Sequence, residues 1–158
     1  MRLSYHPVSP YARKALVALR LRGDEVELPL LNIMGGELKS PEYRALSPCG
    51  KRPVLETPEG PIIESTSIIE YLEEQGPLVL LQPDTARLAR HYDRIGDNYL
   101  LDTQTVIWFK PLTEEAEQAE KTALIAWDIL DKALENKAYL TGERFSMGDI
   151  GPAIGTDY

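Results

Sequence analysis

The chain has 158 residues, 43% of them apolar, which suits one good core or one compact domain plus part of another and excludes a disordered chain. Its net charge of −8 is unevenly spread, with 9 basic against 11 acidic residues up to Leu78 and 8 against 14 from Val79 onward; that acidic second half argues against a nucleic-acid partner. The longest apolar stretches, such as PLVLLQP, are too short to cross a bilayer, and MRLSYHPVSP lacks the apolar core of a secretory leader, so a soluble, cytoplasmic protein with no membrane partner is expected.

Arg2 to Tyr5 reads as a short strand closed by His6-Pro7. From Pro10 the apolar residues Ala15, Leu16, Ala18 and Leu19 recur at helical spacing, and Gly23 ends that helix. Glu25 to Leu31 reads as a second strand, which Pro29 places at an edge or a bulge. Gly35-Gly36 marks a loop, and Pro41 opens a short helix with Ser40 as its N-cap. Val54 to Glu56, a turn over Pro58-Glu59-Gly60 and the returning Ile62-Ile63 form a hairpin. Ser65 begins a helix with Ile68, Ile69 and Leu72 on its apolar face, stopped by Gly76-Pro77. The order is βαβαββα, an α/β domain over residues 1–77, followed by a linker over 78–84.

Residues 85–158 read as all-α. Leu88, Tyr92, Ile95 and Tyr99 step by four, three and four, which predicts one buried helix face. A second helix starts near Glu114, with Glu114, Glu115 and Glu117 at its electropositive end and Leu124, Trp127, Leu130 and Leu134 as its inner stripe. A third begins in FSMGDIGPAIGTDY, where Ser146 and Asp149 resemble a capping box. Gly151, Pro152 and Gly155 make it a poor helix former: an interior Gly costs ~1 kcal/mol and Pro ~3 kcal/mol. The single cysteine, Cys49, excludes a disulfide framework and fits a reducing compartment, while His6 and His91 stand far apart, so no metal is expected.

Four blocks in this order, HPVSPYARK, GGELKSPEYRALSPCGKRPVLE, IIESTSIIEYL and FSMGDI, make the chain resemble the glutathione transferase superfamily, the second block looking most like plant phi-class and related bacterial serine-type enzymes. The resemblance implies a thioredoxin-like N-terminal domain that binds glutathione as co-substrate. It also implies a helical C-terminal domain that supplies the pocket for a small electrophile, and a homodimer. Family members continue for two or three further helices, so the helical domain is expected to be incomplete, through truncation or as a natural short variant.

The chemistry implied is attack by a glutathione thiolate. A thiol with a pKa of about 8.5 is only a few per cent ionised at neutral pH. Lowering that value by two units needs about 2.7 kcal/mol, the size of one hydrogen bond to a charged group. The family's catalytic hydroxyl aligns with Ser9; from the local sequence alone, Ser9 is an N-cap with Pro10 at the first helical position, and one residue can serve both ends. Tyr5 and Tyr11 are weaker candidates for the same donor.

By the same resemblance, Glu64 receives the ammonium of the γ-glutamyl group and Ser65 its carboxylate at a helix N-terminus, against the plainer alternatives of a solvated charge and a cap. Pro53 matches the family's cis-proline, which presents the preceding backbone to the cysteinyl residue. That preceding residue is here Arg52, where the family has Val; the alternative is a trans proline opening an edge strand. Lys39 matches a basic residue used for the glycyl carboxylate, or is simply solvated; Lys51 is a weaker candidate, and Arg13 reads as structural. Cys49 stands where many relatives carry an aromatic that plugs into the partner subunit, and reads as a packing or interface residue. Asp149 matches a folding motif. Tyr92, Tyr99 and Trp108 are candidates for the electrophile pocket, against the commoner role of core aromatics. The alternatives to a transferase are a non-catalytic partner-binding module of this fold, or a narrow-substrate dehalogenase or isomerase using the same thiolate.

Overall fold

A computed structural model describes residues 1–76 and 78–157. The chain divides into two compact units, Met1–Leu78 and Val79–Tyr158. The first contains strand β1 (Arg2–Ser4), helix α1 (Pro10–Arg22), a single 3₁₀ turn (Glu37–Lys39), helix α2 (Pro41–Leu46), strands β2 (Val54–Thr57) and β3 (Gly60–Ile63), and helix α3 (Ser65–Glu74). The second contains helix α4 (Ala86–Ile95), a π-helical segment (Gly96–Leu101), and helices α5 (Asp102–Phe109), α6 (Glu114–Leu134) and α7 (Met147–Gly155).

In the first unit, β1, β2 and β3 form an antiparallel sheet in that order. The expected strand over 25–31 is reduced to two isolated parallel bridges, Arg2 with Glu27 and Tyr5 with Leu30. Four backbone hydrogen bonds join it to β1: Glu27 N–H to Met1 O, Leu3 N–H to Glu27 O, Tyr5 N–H to Pro29 O and Leu31 N–H to Tyr5 O. The bond that would sit between them needs a donor at residue 29. Pro29 has none, so the ladder splits. Helix α1 ends as expected: Gly23 adopts φ 80°, its N–H reaches Arg20 O, and the Asp24 N–H reaches Leu19 O. Ile68, Ile69 and Leu72 of α3 are buried together with Leu3, Leu19 and Leu55. The expected stop at Gly76-Pro77 is in part described: α3 ends at Glu74 and Gly76 takes φ 103°, while Pro77 lies outside the described residues.

Two expected stripes of the second unit are corrected. Tyr92 is half-buried and Ile95 buried, but Tyr99 is exposed. The π-helical segment makes the chain bond to the fifth rather than the fourth residue, which shifts the helical phase. Leu100 and Leu101 take the inner positions instead, both fully buried. On α6, Leu130 is buried and Trp127 half-buried, but Leu124 is 69% exposed and Leu134 is exposed too. The inner face is instead made by Ala116, Ala119, Ala126 and Leu130. Small residues let helices approach closely, and here that outweighs the burial of larger ones. The core of this unit gathers Ile95, Leu100, Ala126, Leu130 and Leu140.

Helix α7 forms despite its composition, because burial outweighs propensity. Eight of its nine residues are buried, Pro152 and the glycines Gly148, Gly151 and Gly155 among them. A Cβ on Gly148 would lie 2.8 Å from the Ala89 carbonyl oxygen, and one on Gly96 would lie 2.8 Å from Pro152 Cδ. At Gly148 and Gly96 a side chain would clash with the facing helix, whereas Gly151 and Gly155 leave room for ordinary contact. Ser146 and Asp149 form the expected capping box, and Asp149 accepts three hydrogen bonds: from Ser146 N–H (2.8 Å), Ser146 Oγ–H (2.7 Å) and Leu140 N–H (2.8 Å). Helix α7 ends at Gly155, and Tyr158 lies outside the described residues.

Candidate functional site

The sheet register gathers the candidate residues at one end of the first unit. Ser4 at the end of β1 pairs with Val54 at the start of β2, which pairs with Ile63 at the end of β3. Neighbouring strands lie about 4.8 Å apart. The segments running on from these three residues, Tyr5 to Ser9, Arg52-Pro53 and Glu64-Ser65, therefore emerge side by side. The bridge from Tyr5 to Leu30 brings the 25–31 segment to the same end. From there the chain runs into the 3₁₀ turn that carries Lys39.

Ser9 is the N-cap of α1, with Pro10 following it, and is buried. Its backbone is extended (φ −90°, ψ 110°), its N–H reaches His6 O at 2.9 Å, and its Oγ accepts from Ala12 N–H at 3.3 Å. The N-cap reading of this residue is thus met. The cap uses an oxygen lone pair, and no acceptor for the hydroxyl proton is found among the described residues. Tyr5 and Tyr11 are half-buried; Tyr5 lines a shallow cleft of about 360 Å³ with Arg13, Leu16 and Arg20 along α1.

Ser65 is the first residue of α3 and is buried, while Glu64 takes the cap position and is exposed. The alternative in which Ser65 caps this helix is thus corrected: the cap residue is Glu64, and its side chain makes no capping hydrogen bond. Glu64 holds φ 71°, ψ 124°, a conformation that costs a non-glycine residue of order 1–3 kcal/mol and that tends to persist at ligand sites. It leaves a carboxylate beside the electropositive start of a helix, where a zwitterionic head group finds both its complements.

The Arg52–Pro53 peptide bond is cis. Pro53 is buried and Arg52 half-buried. Lys39 and Lys51 are exposed. The turn that carries Lys39 lies against the loop before Pro53: a Cβ on Gly50 would fall 2.8 Å from the Leu38 carbonyl oxygen. Cys49 is exposed on that same loop.

Sequence reasoning missed two residues here, Tyr43 and Ser47. Both are buried, and both donate their hydroxyls to the Lys51 carbonyl, Tyr43 at 3.0 Å and Ser47 at 2.8 Å. Ser47 Oγ also accepts the Lys51 N–H at 3.1 Å. Burial pushes the Tyr43 hydroxyl up to about 12, against the opposing pull of the Arg52 guanidinium and with a smaller push from Glu37. The only advance signal was the short helix itself, whose Ser40 cap fixes which way Tyr43 faces.

The electrophile-pocket candidates are not gathered in this way. Tyr92 packs against the core of the second unit, while Tyr99 and Trp108 are exposed. Among the described residues no cluster of His, Cys, Asp or Glu is placed to hold a metal ion, and no helix is long and apolar enough to cross a membrane.

Residues 3–79 match the family described as glutathione S-transferase, N-terminal domain. A glutathione S-transferase-like protein of a Fusarium species is 32% identical over 148 residues, covering 87% of this chain and 67% of its own. The chain belongs to the glutathione transferase superfamily. The crystal structure of a glutathione S-transferase from Methylobacillus flagellatus, with glutathione bound, superposes with a TM-score of 0.86 at 25% identity, covering 99% of this chain and 81% of that one. Elongation factor 1-gamma from Prunus avium is 35% identical over 152 residues, covering 88% of this chain. The chain spans only 35% of that relative's length.

Proposed function

We propose that the first unit binds reduced glutathione and that Ser9 holds its thiol as the thiolate for attack on a small hydrophobic electrophile. The observation that carries this reading is the divided use of the Ser9 hydroxyl, whose oxygen caps α1 while its proton has no acceptor among the described residues. A donor at a helix start favours an anion twice over, by hydrogen bond and by the helix dipole. The thiol proton leaves to solvent, and the sulfur lone pair forms the new bond to the electrophilic carbon as the bond broken there gives its electron pair to the departing group, or, for a conjugate acceptor, to the adjacent carbon, which then takes a proton from solvent. Glu64 pairs with the ammonium and Ser65 with the carboxylate of the γ-glutamyl group. Arg52-Pro53 presents backbone to the cysteinyl residue, and Lys39 meets the glycyl carboxylate. In this reading the protein is a serine-type, phi-like detoxification enzyme of the cytoplasm, acting as a homodimer.

A second reading, a non-catalytic partner-binding module, is favoured by the elongation factor 1-gamma relatives, in which the matched segment is about a third of a longer chain. Calorimetric titration with reduced glutathione, beside a Glu64→Ala variant, separates the two. Binding by wild type with marked weakening in the variant supports the transferase reading. A folded wild-type chain that binds no glutathione refutes it and favours the module.

A further inference from the structure

We infer that Tyr43 and Ser47 are positioning residues of the glutathione site: they clamp the Lys51 backbone and so fix the Arg52-Pro53 segment against which the cysteinyl part of glutathione lies. The inference rests on the glutathione reading above. Lys51 has an exposed side chain, yet both its backbone groups are held by buried hydroxyls: its carbonyl by Tyr43 and Ser47, its N–H by Ser47.

The rest of the loop is pinned as well. The Gly50 N–H reaches Ser47 O at 2.7 Å, Arg44 Nη1 donates to Pro48 O at 2.7 Å, and Gly50 takes φ 62° with no room for a Cβ beside Arg44 and Leu38. The β ladder begins only at Val54. The clamp therefore fixes the backbone one residue before Arg52, and the ladder fixes it two residues after. A misplacement of about 1 Å at such a segment is enough to lose ligand contacts. Because burial keeps the Tyr43 hydroxyl protonated to about 12, the donor persists across any practical assay pH.

The test uses the full chain as wild type, Tyr43→Phe, Ser47→Ala and Ser47→Thr. Two quantities are read: the dissociation constant for reduced glutathione by calorimetry, and the pKa of the bound thiol by ultraviolet thiolate absorbance against pH. Tyr43→Phe, which loses one hydrogen bond to Lys51, is expected to bind about fivefold more weakly, and Ser47→Ala, which loses two, about tenfold or more, with the bound-thiol pKa unchanged in both. Ser47→Thr keeps the hydroxyl and is expected to bind within about twofold of wild type, given the small effect of a retained donor. A merely structural role would lower the melting temperature without this selective loss of affinity. If wild type binds and both deletion variants bind equally well, or if the bound-thiol pKa moves with affinity, the clamp is refuted. If wild type binds no glutathione, the function proposed above fails first, and the inference with it.

Discussion

Replacing Ser9 by Ala removes two things at once, and their sizes differ. The first is the N-cap: the Ala12 N–H loses its acceptor, which costs about 1 kcal/mol of stability. For a chain of this length that lowers the melting temperature by about 2–4 °C. The second, on the function proposed above, is the donor to the glutathione thiolate, a hydrogen bond to a charged group of about 1.5–3 kcal/mol. At 1.36 kcal/mol per unit, its loss raises the pKa of bound glutathione by about one to two units. A thiol held near 6.5 and released to 8 falls from about three-quarters to about one-tenth ionised at pH 7, so conjugation slows roughly eightfold there and recovers as pH rises. Ser9→Asp separates the effects. Its carboxylate still accepts from Ala12 N–H, so most of the cap remains, but it has no proton to donate and its charge opposes the thiolate. The assays are thermal melts and thiolate absorbance of the glutathione complex against pH. A bound-thiol pKa that is the same in wild type, Ser9→Ala and Ser9→Asp would refute the reasoning, whatever the melting temperatures do.

Three further outcomes are expected. Glu64→Gly should melt no lower than wild type, because relief of φ 71° offsets the usual cost of a glycine, while glutathione affinity falls about tenfold with the loss of the ion pair; a lower melting temperature would show that Glu64 is unstrained. Leu130→Ala should lose about 2–5 kcal/mol in chemical denaturation and Leu124→Ala less than 0.5 kcal/mol, although the side chains are the same, because only Leu130 is buried. Tyr43 has its phenol raised in the fold from 10.0 to about 12, so the unfolded chain ionises first; stability is full below about pH 10 and declines from there towards pH 12, and this part of the decline should vanish in Tyr43→Phe, read by denaturation midpoints against pH.

Much of the first unit was legible in its residues because its signals are local. Ser9-Pro10, Ser40-Pro41 and Gly23 fix helix ends through hydrogen bonds spanning three to five residues, and each forms where expected. The same holds for the Ser146–Asp149 box. Which end of the sheet gathers Ser9, Arg52-Pro53 and Glu64-Ser65 was decided by strand register, which joins residues dozens of positions apart. The role of Tyr43 and Ser47 was hidden for a related reason. Nothing in a tyrosine's neighbours says that its hydroxyl will meet a carbonyl eight residues on.

The sequence by itself determined the ends of the elements that carry their own caps and turns, because capping, turn chemistry and the missing N–H of proline act within a few residues. Even the broken pairing of residues 25–31 follows from Pro29 alone. Only the tertiary structure decided which faces those elements bury. The π-helical turn after Ile95 re-phases everything beyond it and leaves Tyr99 in solvent. On α6, alanines rather than leucines turn inward, because helix packing selects for close approach as well as for side-chain size. Helix α7 exists against its own propensities, because nearly all of it is buried and, at Gly148, the Ala89 backbone comes closer than a Cβ would allow. Burial depends on what arrives from elsewhere in the chain, and a local pattern does not contain that.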